Sequence, residues 1–177
     1  MSRLMAFALA LLIAAAGPAA AQGENYPDKK AITVNLCPYV ELTSFQFSNE
    51  EPLQGRPRFE MRAYWKNIGT QPVIAFEIVV LKYDPFNRRE MGTRWIVTGH
   101  DSANWKPLGP GETATDGTIG FGTEDTFTAI AYIRAARLAN GEVWHVDTGK
   151  LREQVAKAAP FLREPGDLMP DAPVKKQ

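Results

Sequence analysis

Two histidines and one cysteine limit the chemistry open to this chain of 177 residues. His100-Asp101-Ser102 sets the three residue types of a hydrolase triad side by side. A triad draws its nucleophile, base and orienting acid from separate segments, and three consecutive residues cannot reach that geometry. No G-x-S-x-G elbow presents a serine either. The stretch reads as a polar turn. His145 and Asp147 share one face of an expected strand, opposite Trp144 and Val146, and His100 would make a third ligand. Structural zinc takes four nitrogen or sulfur ligands, so this set is too thin, and a solvated edge strand fits better. Glu50-Glu51 and Glu124-Asp125 are sequence neighbours in expected loops, whereas glycoside hydrolysis needs carboxyls facing across a cleft. They read as solubilising charge. Residues 117–122 are glycine-rich without the lysine and following helix of a phosphate loop, and a bulge or flexible edge explains them as well. The sequence therefore assigns no catalytic, cofactor-binding or metal-ligating residue, and implies no cofactor.

Aromatic faces stack on pyranose rings, so the four tryptophans raise a sugar-binding reading. Trp65 and Trp144 fall on inward faces of strong strands and belong to the core. Trp95 fits either place. Trp105, in the polar segment 102–107, is the one expected to be exposed. Trp105, Trp95 and His100 form the candidate binding surface, because exposed tryptophan is enriched where proteins bind partners. The competing role for Trp105 is a loop lid over one end of the domain. The lone Cys37 cannot form an internal disulfide. A buried apolar cysteine on a strand is expected, against an intermolecular disulfide or a reactive thiol.

These residues sit in a chain built for export. Arg3 precedes an unbroken apolar run over 4–16, Gly17-Pro18 ends its helical tendency, and Ala19-Ala20-Ala21 supplies the small side chains of a cleavage site before Gln22. The run is shorter than the about 20 residues a membrane span takes. No Arg-Arg pair precedes it, which favours export of an unfolded chain, and no cysteine follows the cut. Residues 1–21 are thus expected to be a signal peptide, with a mature protein in the periplasm or outside the cell and no integral span. Twenty Lys plus Arg, one of them Arg3 in the leader, against 20 Asp plus Glu leave a mature net charge near −1. Binding nucleic acid needs a basic surplus that is absent. The mature length suits one domain with a real core.

Residues 22–30 look like a flexible entry. A first strand over 31–42 breaks at Pro38, and 48–57 has loop composition. From Phe59 to Trp65, apolar and polar residues alternate with period two. Residues 67–72 turn the chain into 73–83, apolar on both faces and so expected mid-sheet and covered on both sides. Shorter strands follow over 93–98 and 113–121, and a long one over 126–138. Asn140-Gly141 predicts a type I′ hairpin with both residues at positive φ, closed by 142–147. About seven strands with no helix among them predict an all-β, immunoglobulin-like sandwich over 31–148. Tyr132, early in the long strand, is expected to bond back to nearby backbone as a structural residue. Leu151, Val155, Ala158 and Leu162 make one helical stripe, so 149–163 is expected helical, broken near Pro160. Residues 164–177, with Pro165, Pro170 and Pro173, are expected to be a disordered tail.

The order of a strand ending Trp65-Lys66-Asn67-Ile68-Gly69, then Pro72, an apolar strand, Tyr83-Asp84 and Leu108-Gly109-Pro110-Gly111-Glu112 resembles secreted bacterial immunoglobulin-like modules. It looks most like the extracellular family named for an F-x-L-Y-D motif, here Val80-Leu81-Lys82-Tyr83-Asp84, with Val80 and Lys82 departing from the pattern. The N-x-G turn and L-x-P-G-E loop match better. The resemblance spans 58–147 and implies a non-catalytic envelope or extracellular module, with no binding residues to carry over. The expected function is an exported module that binds a protein or envelope component through loops, a sheet edge or the C-terminal helix. A carbohydrate-binding accessory module and a small metal-dependent hydrolase are the alternatives.

Overall fold

The computed structural model describes residues 29–54, 56–98, 106–121 and 126–169. Residues 1–21, expected to be a signal peptide, and His100, Asp101, Ser102, Trp105, Gly122, Glu124 and Asp125 lie outside them. The chain forms β1 (Lys30–Val34), β2 (Val40–Leu53), β3 (Arg56–Asn67), β4 (Val73–Tyr83), β5 (Thr93–Thr98), β6 (Thr113–Phe121), β7 (Thr128–Leu138), β8 (Val143–His145) and α1 (Thr148–Ala158). This is the expected all-β sandwich with a short C-terminal helix. One sheet runs β2-β3-β6, and the other β7-β4-β5 with both β1 and β8 on the outer side of β7. That is the A-B-E against G-F-C-C′ order of an immunoglobulin-like sandwich. β8 is too short to cover β7 and pairs only with residues 135–137; β1 takes the rest of that edge, parallel, from Lys30 opposite Thr128 to Val34 opposite Tyr132.

Phe59, Met61, Ala63 and Trp65 of β3 all point into the space between the sheets, as their alternation requires. There they meet Phe76, Ile78 and Val80 of β4 and Ala129, Ala131 and Ile133 of β7. The opposite face of β4 carries Val79, Leu81 and Tyr83, which join Ile130 and Tyr132 under Leu151 and Val155 of α1. The double apolar pattern of β4 thus has two causes: a facing sheet on one side and a helix on the other. α1 starts at Asp147, whose carboxylate accepts the Lys150 N–H at 2.9 Å and is held below the usual range by it.

Two turn motifs prove to be one structure. The fully buried Asn67 side chain donates to the carbonyls of Gln71 (2.9 Å) and Leu108 (2.8 Å) and accepts the Gly69 N–H (2.9 Å). Its backbone N–H and C=O hold Glu112 and Gly111. Pro110 and Gly111 (φ 77°), closed by Glu112 N–H to the Gly109 carbonyl, form a type II turn that only glycine fits comfortably.

Several expectations are corrected. The single strand over 31–42 is two strands in different sheets, and the Asn35 side chain clamps the crossing through both the N–H and the C=O of Leu42. The loop over 48–57 is the end of a long hairpin. It is an antiparallel pair with Ser48 opposite Glu60, and the register slips between Glu50 and Leu53, where Pro52 lies. The entry 22–30 ends early, because the Lys30 N–H already pairs with the Phe127 carbonyl at 2.8 Å. At Asn140-Gly141 only Gly141 has positive φ (92°). Gly141 N–H to the Leu138 carbonyl, Leu138 N–H to that of Glu142, and the Asn140 side chain on the Glu142 N–H make a three-residue loop with a glycine bulge, not type I′. α1 ends at Ala158, two residues before Pro160.

The tail assignment fails for 164–169. Pro165 and Leu168 are buried, and their carbonyls accept the hydroxyls of Tyr83 (2.8 Å) and Tyr132. Tyr132 is structural, but it bonds to this distant segment rather than to nearby backbone. Isolated leucines among prolines find partners here because two tyrosines leave hydroxyls under the same face. Residues 170–177 lie outside the described set.

Candidate interaction surface

Of the three residues of the expected binding surface, Trp95 alone falls among the described residues. His100 and Trp105 lie outside the described residues. Trp95 is 8% exposed and sits edge-on to Trp65, ring centroids 6.0 Å apart, inside the sandwich. β5 alternates, so Trp95 and Val97 turn inward. Trp95 is therefore core and offers no face to a sugar. Trp65 is core as expected, packed edge-on against Phe76 as well. Trp144 is half-buried and touches both apolar clusters where β8 leads into α1. Cys37 is buried as expected, but between β1 and β2 rather than on a strand, and burial pushes its thiol up despite hydrogen bonds from the backbone at Tyr39 and Val40. His145 is exposed, and Asp147 caps α1. Among the described residues no three His, Cys, Asp or Glu side chains group as metal ligands.

The open surface lies on the outer face of the larger sheet. α1 and the residues after it cover the half of that face bearing Val79, Leu81, Tyr83, Ile130 and Tyr132. The other half has a shallow groove of about 150 Å³ lined by Ala75, Ile96, Ala135, Arg137 and Val143. Ile96 is 47% and Val143 45% exposed. Pockets for drug-sized ligands run to about 300–1,000 Å³, so this depression suits a side chain or two of a larger partner. A bulge builds it: Glu77 faces Ala135 while Ile78 faces Ile133, so the extra residue, Arg134, is unpaired in the ladder and turns outward beside Ala135.

Glu77, mostly buried, gathers the local charge. Its Oε1 lies 2.7 Å from Arg134 Nε and 3.2 Å from Arg94 Nε, as ion pairs rather than aligned hydrogen bonds, and Oε2 accepts from Arg134 Nη2 at 3.1 Å. Two guanidiniums thus share one carboxylate, and Arg137 lines the groove beside them. On a chain with no net charge this is a local positive field. Sequence reasoning passed over Ile96 and Val143, although for Ile96 the signal was present: it lies between the inward-facing Trp95 and Val97, and so must point to water.

No family model and no curated protein matches this chain. Among solved structures it is similar to a hypothetical protein of Peptoclostridium difficile 630, with TM-score 0.46 and 10% identity over 72% of this chain and 99% of that one. It is also similar to a Bordetella pertussis protein described as ApaA, with TM-score 0.39 and 17% identity over 62% and 88% of the two chains. At these values neither likeness carries an argument, and what the chain does must be read from its own surface.

Proposed function

We propose that this chain is an exported, non-catalytic β-sandwich that binds another protein or an envelope component through the open half of its larger sheet. The carrying observation is the groove of Ala75, Ile96, Ala135 and Val143: apolar, continuous across four strands, with Ile96 and Val143 exposed and Arg137 beside them. Scattered single apolar residues are ordinary on protein surfaces, but contiguous ones with a polar rim mark interaction sites. The leader-like first 21 residues and the turn motifs shared with secreted modules support the same reading. The test is purification of the tagged chain from the exported fraction after mild cross-linking, beside an Ile96→Asp/Val143→Asp variant. One dominant partner with the parent chain and none with the variant, at equal melting temperature, is expected. A partner retained by the variant, or none with either, refutes the reading.

A further inference from the structure

Beyond α1 the chain is buried with a period that belongs to no helix or strand. Ala159, Leu162, Pro165 and Leu168 are buried, and the two residues between each of them are exposed, the half-buried Phe161 excepted. A repeat of three is that of an extended proline-rich chain, which has three residues per turn and no internal hydrogen bonds. Gly166, at φ 72°, adds one corner against the Arg89 side chain. Leu162 and Leu168 join Val79, Leu81, Ile130 and the two tyrosine rings on the outer face of the larger sheet.

The polar contacts of this segment run one way. Tyr83 of β4 and Tyr132 of β7 donate their hydroxyls to the carbonyls of Pro165 (2.8 Å) and Leu168, and Arg89 Nε donates to the Asp167 carbonyl at 3.4 Å. The Arg89 guanidinium is itself held by the carbonyls of Lys82 and Glu90. Both tyrosines stand on the middle strands of the larger sheet, so these donors are fixed before the segment arrives. The segment answers with main-chain carbonyls, which every sequence has, and with the Met169 thioether 3.9 Å from Arg134 Nη1. Its Asp167 carboxylate turns back on its own Met169 N–H (2.8 Å). Selectivity therefore rests on the buried positions, one in three. Residues 164–169 form no strand, so lifting them breaks no ladder, and water reaches the two hydroxyls once they are gone.

We propose that the face holding Tyr83, Arg89 and Tyr132 is a docking site for extended, proline-containing segments of a partner protein with an apolar residue at every third position. Residues 162–168 are a copy of such a segment, closing the site in cis. The seated chain itself defines the occupant: two leucines and a proline spaced by three, and carbonyls turned toward the tyrosine hydroxyls. Proline-containing chains are recognised in this way by aromatic-lined grooves, since little freedom is lost on binding. The site lies on the covered half of the sheet, apart from the open groove at Ile96 and Val143, and stands whether or not that groove binds.

The test uses the full chain and a fluorescent peptide copying residues 160–169. The parent chain should bind it weakly, because its own tethered segment competes at high effective concentration. Leu168→Asp, which loosens that segment, should bind it at least about tenfold more tightly. Adding Tyr132→Phe should weaken binding about fivefold, the loss of one hydrogen bond. A peptide with alanine at 163, 164 and 167 should bind within about threefold of the original, and one with its leucines and proline each moved by one position should not bind. Adding Ile96→Asp/Val143→Asp to Leu168→Asp should leave the affinity unchanged, which separates failure of this site from failure of the open groove. Where Leu168→Asp gives no cooperative melt, Leu168→Ala takes its place. No binding, equal binding by parent and variant, equal binding of the shifted peptide, no effect of Tyr132→Phe, or a parent chain that dimerises by exchanging C-terminal segments overturns the inference.

Discussion

Tyr83 and Tyr132 latch the C-terminal segment to the larger sheet, and the two latches can be opened separately. Tyr132→Phe deletes the donor to the Leu168 carbonyl and nothing else. A hydrogen bond lost from a buried acceptor costs about 1–2 kcal/mol. For a domain of this size that is about 3–6 °C in Tm. A chain ending at Asp167 lacks Leu168, whose burial contributes about 2–3 kcal/mol, within the about 5–15 kcal/mol of a typical domain. In that background Tyr132→Phe should cost close to nothing, because its acceptor is gone. Tyr83→Phe should cost the same about 1–2 kcal/mol in both backgrounds, because Pro165 remains. Urea unfolding followed by tryptophan fluorescence reads all six chains. An equal cost for Tyr132→Phe in both backgrounds would refute the latch. The latches also predict alkaline unfolding. Burial raises both phenols, Tyr83 from 10.0 to about 12, so the folded state favours the neutral hydroxyl. That contribution is complete below pH 10 and is lost as pH climbs toward 12, and Tyr83→Phe should flatten this limb.

Asp84→Asn should destabilise the domain by about 2–3 kcal/mol at pH 7, since the buried Asp84 carboxylate accepts the Arg88 N–H at 2.9 Å and pairs with Arg88 Nε at 2.6 Å. Asp84 has a depressed folded pKa, so its contribution is present above the ordinary value of 3.8 and fades as pH falls below it. The gap between parent and variant, followed by thermal melts, should narrow on acidification, and a constant gap would contradict the assignment. Gly141→Ala meets no atom within 4 Å, so its cost is backbone strain alone, about 1 kcal/mol, and a Tm equal to the parent's would count against the glycine bulge. Cys37 should react with Ellman's reagent only on the timescale of unfolding, and prompt labelling in native buffer would show that the thiol is accessible.

Wherever alternation and burial agreed, the sequence was legible. β4, β5 and β6 lie at their expected bounds, and the two-sided apolarity of β4 told of two covering layers before either was known. The hairpin tip over 48–57 was missed because its residues have loop composition; only the pairing of β2 with β3 makes it strand. Residues 164–169 were missed for the opposite reason. They have no periodicity, and their order comes from tyrosine hydroxyls that are 82 and 36 residues away in the chain. Of the two tryptophans offered as a binding surface, Trp105 lies outside the described residues. Trp95 lies inward, while its neighbour Ile96, on the wet face of the same strand, was passed over. Asp84 was quoted only as part of a motif, and its bonds to the Phe86 and Arg88 N–H groups depend on geometry that no spacing reveals.

The shared outer edge of β7 bears on the order in which the molecule can be made. β1 is the first of the described strands to be synthesised, yet its ladder partner begins at Thr128, after five further strands have emerged. Closing so long a loop is slow, and until then β1 is an unpaired, partly apolar segment. Nascent chains released before Thr128 should therefore leave residues 30–34 open to protease, while chains released after Leu138 protect them. A strand that waits for so distant a part of its own chain delays completion of the fold until most of the polypeptide is present.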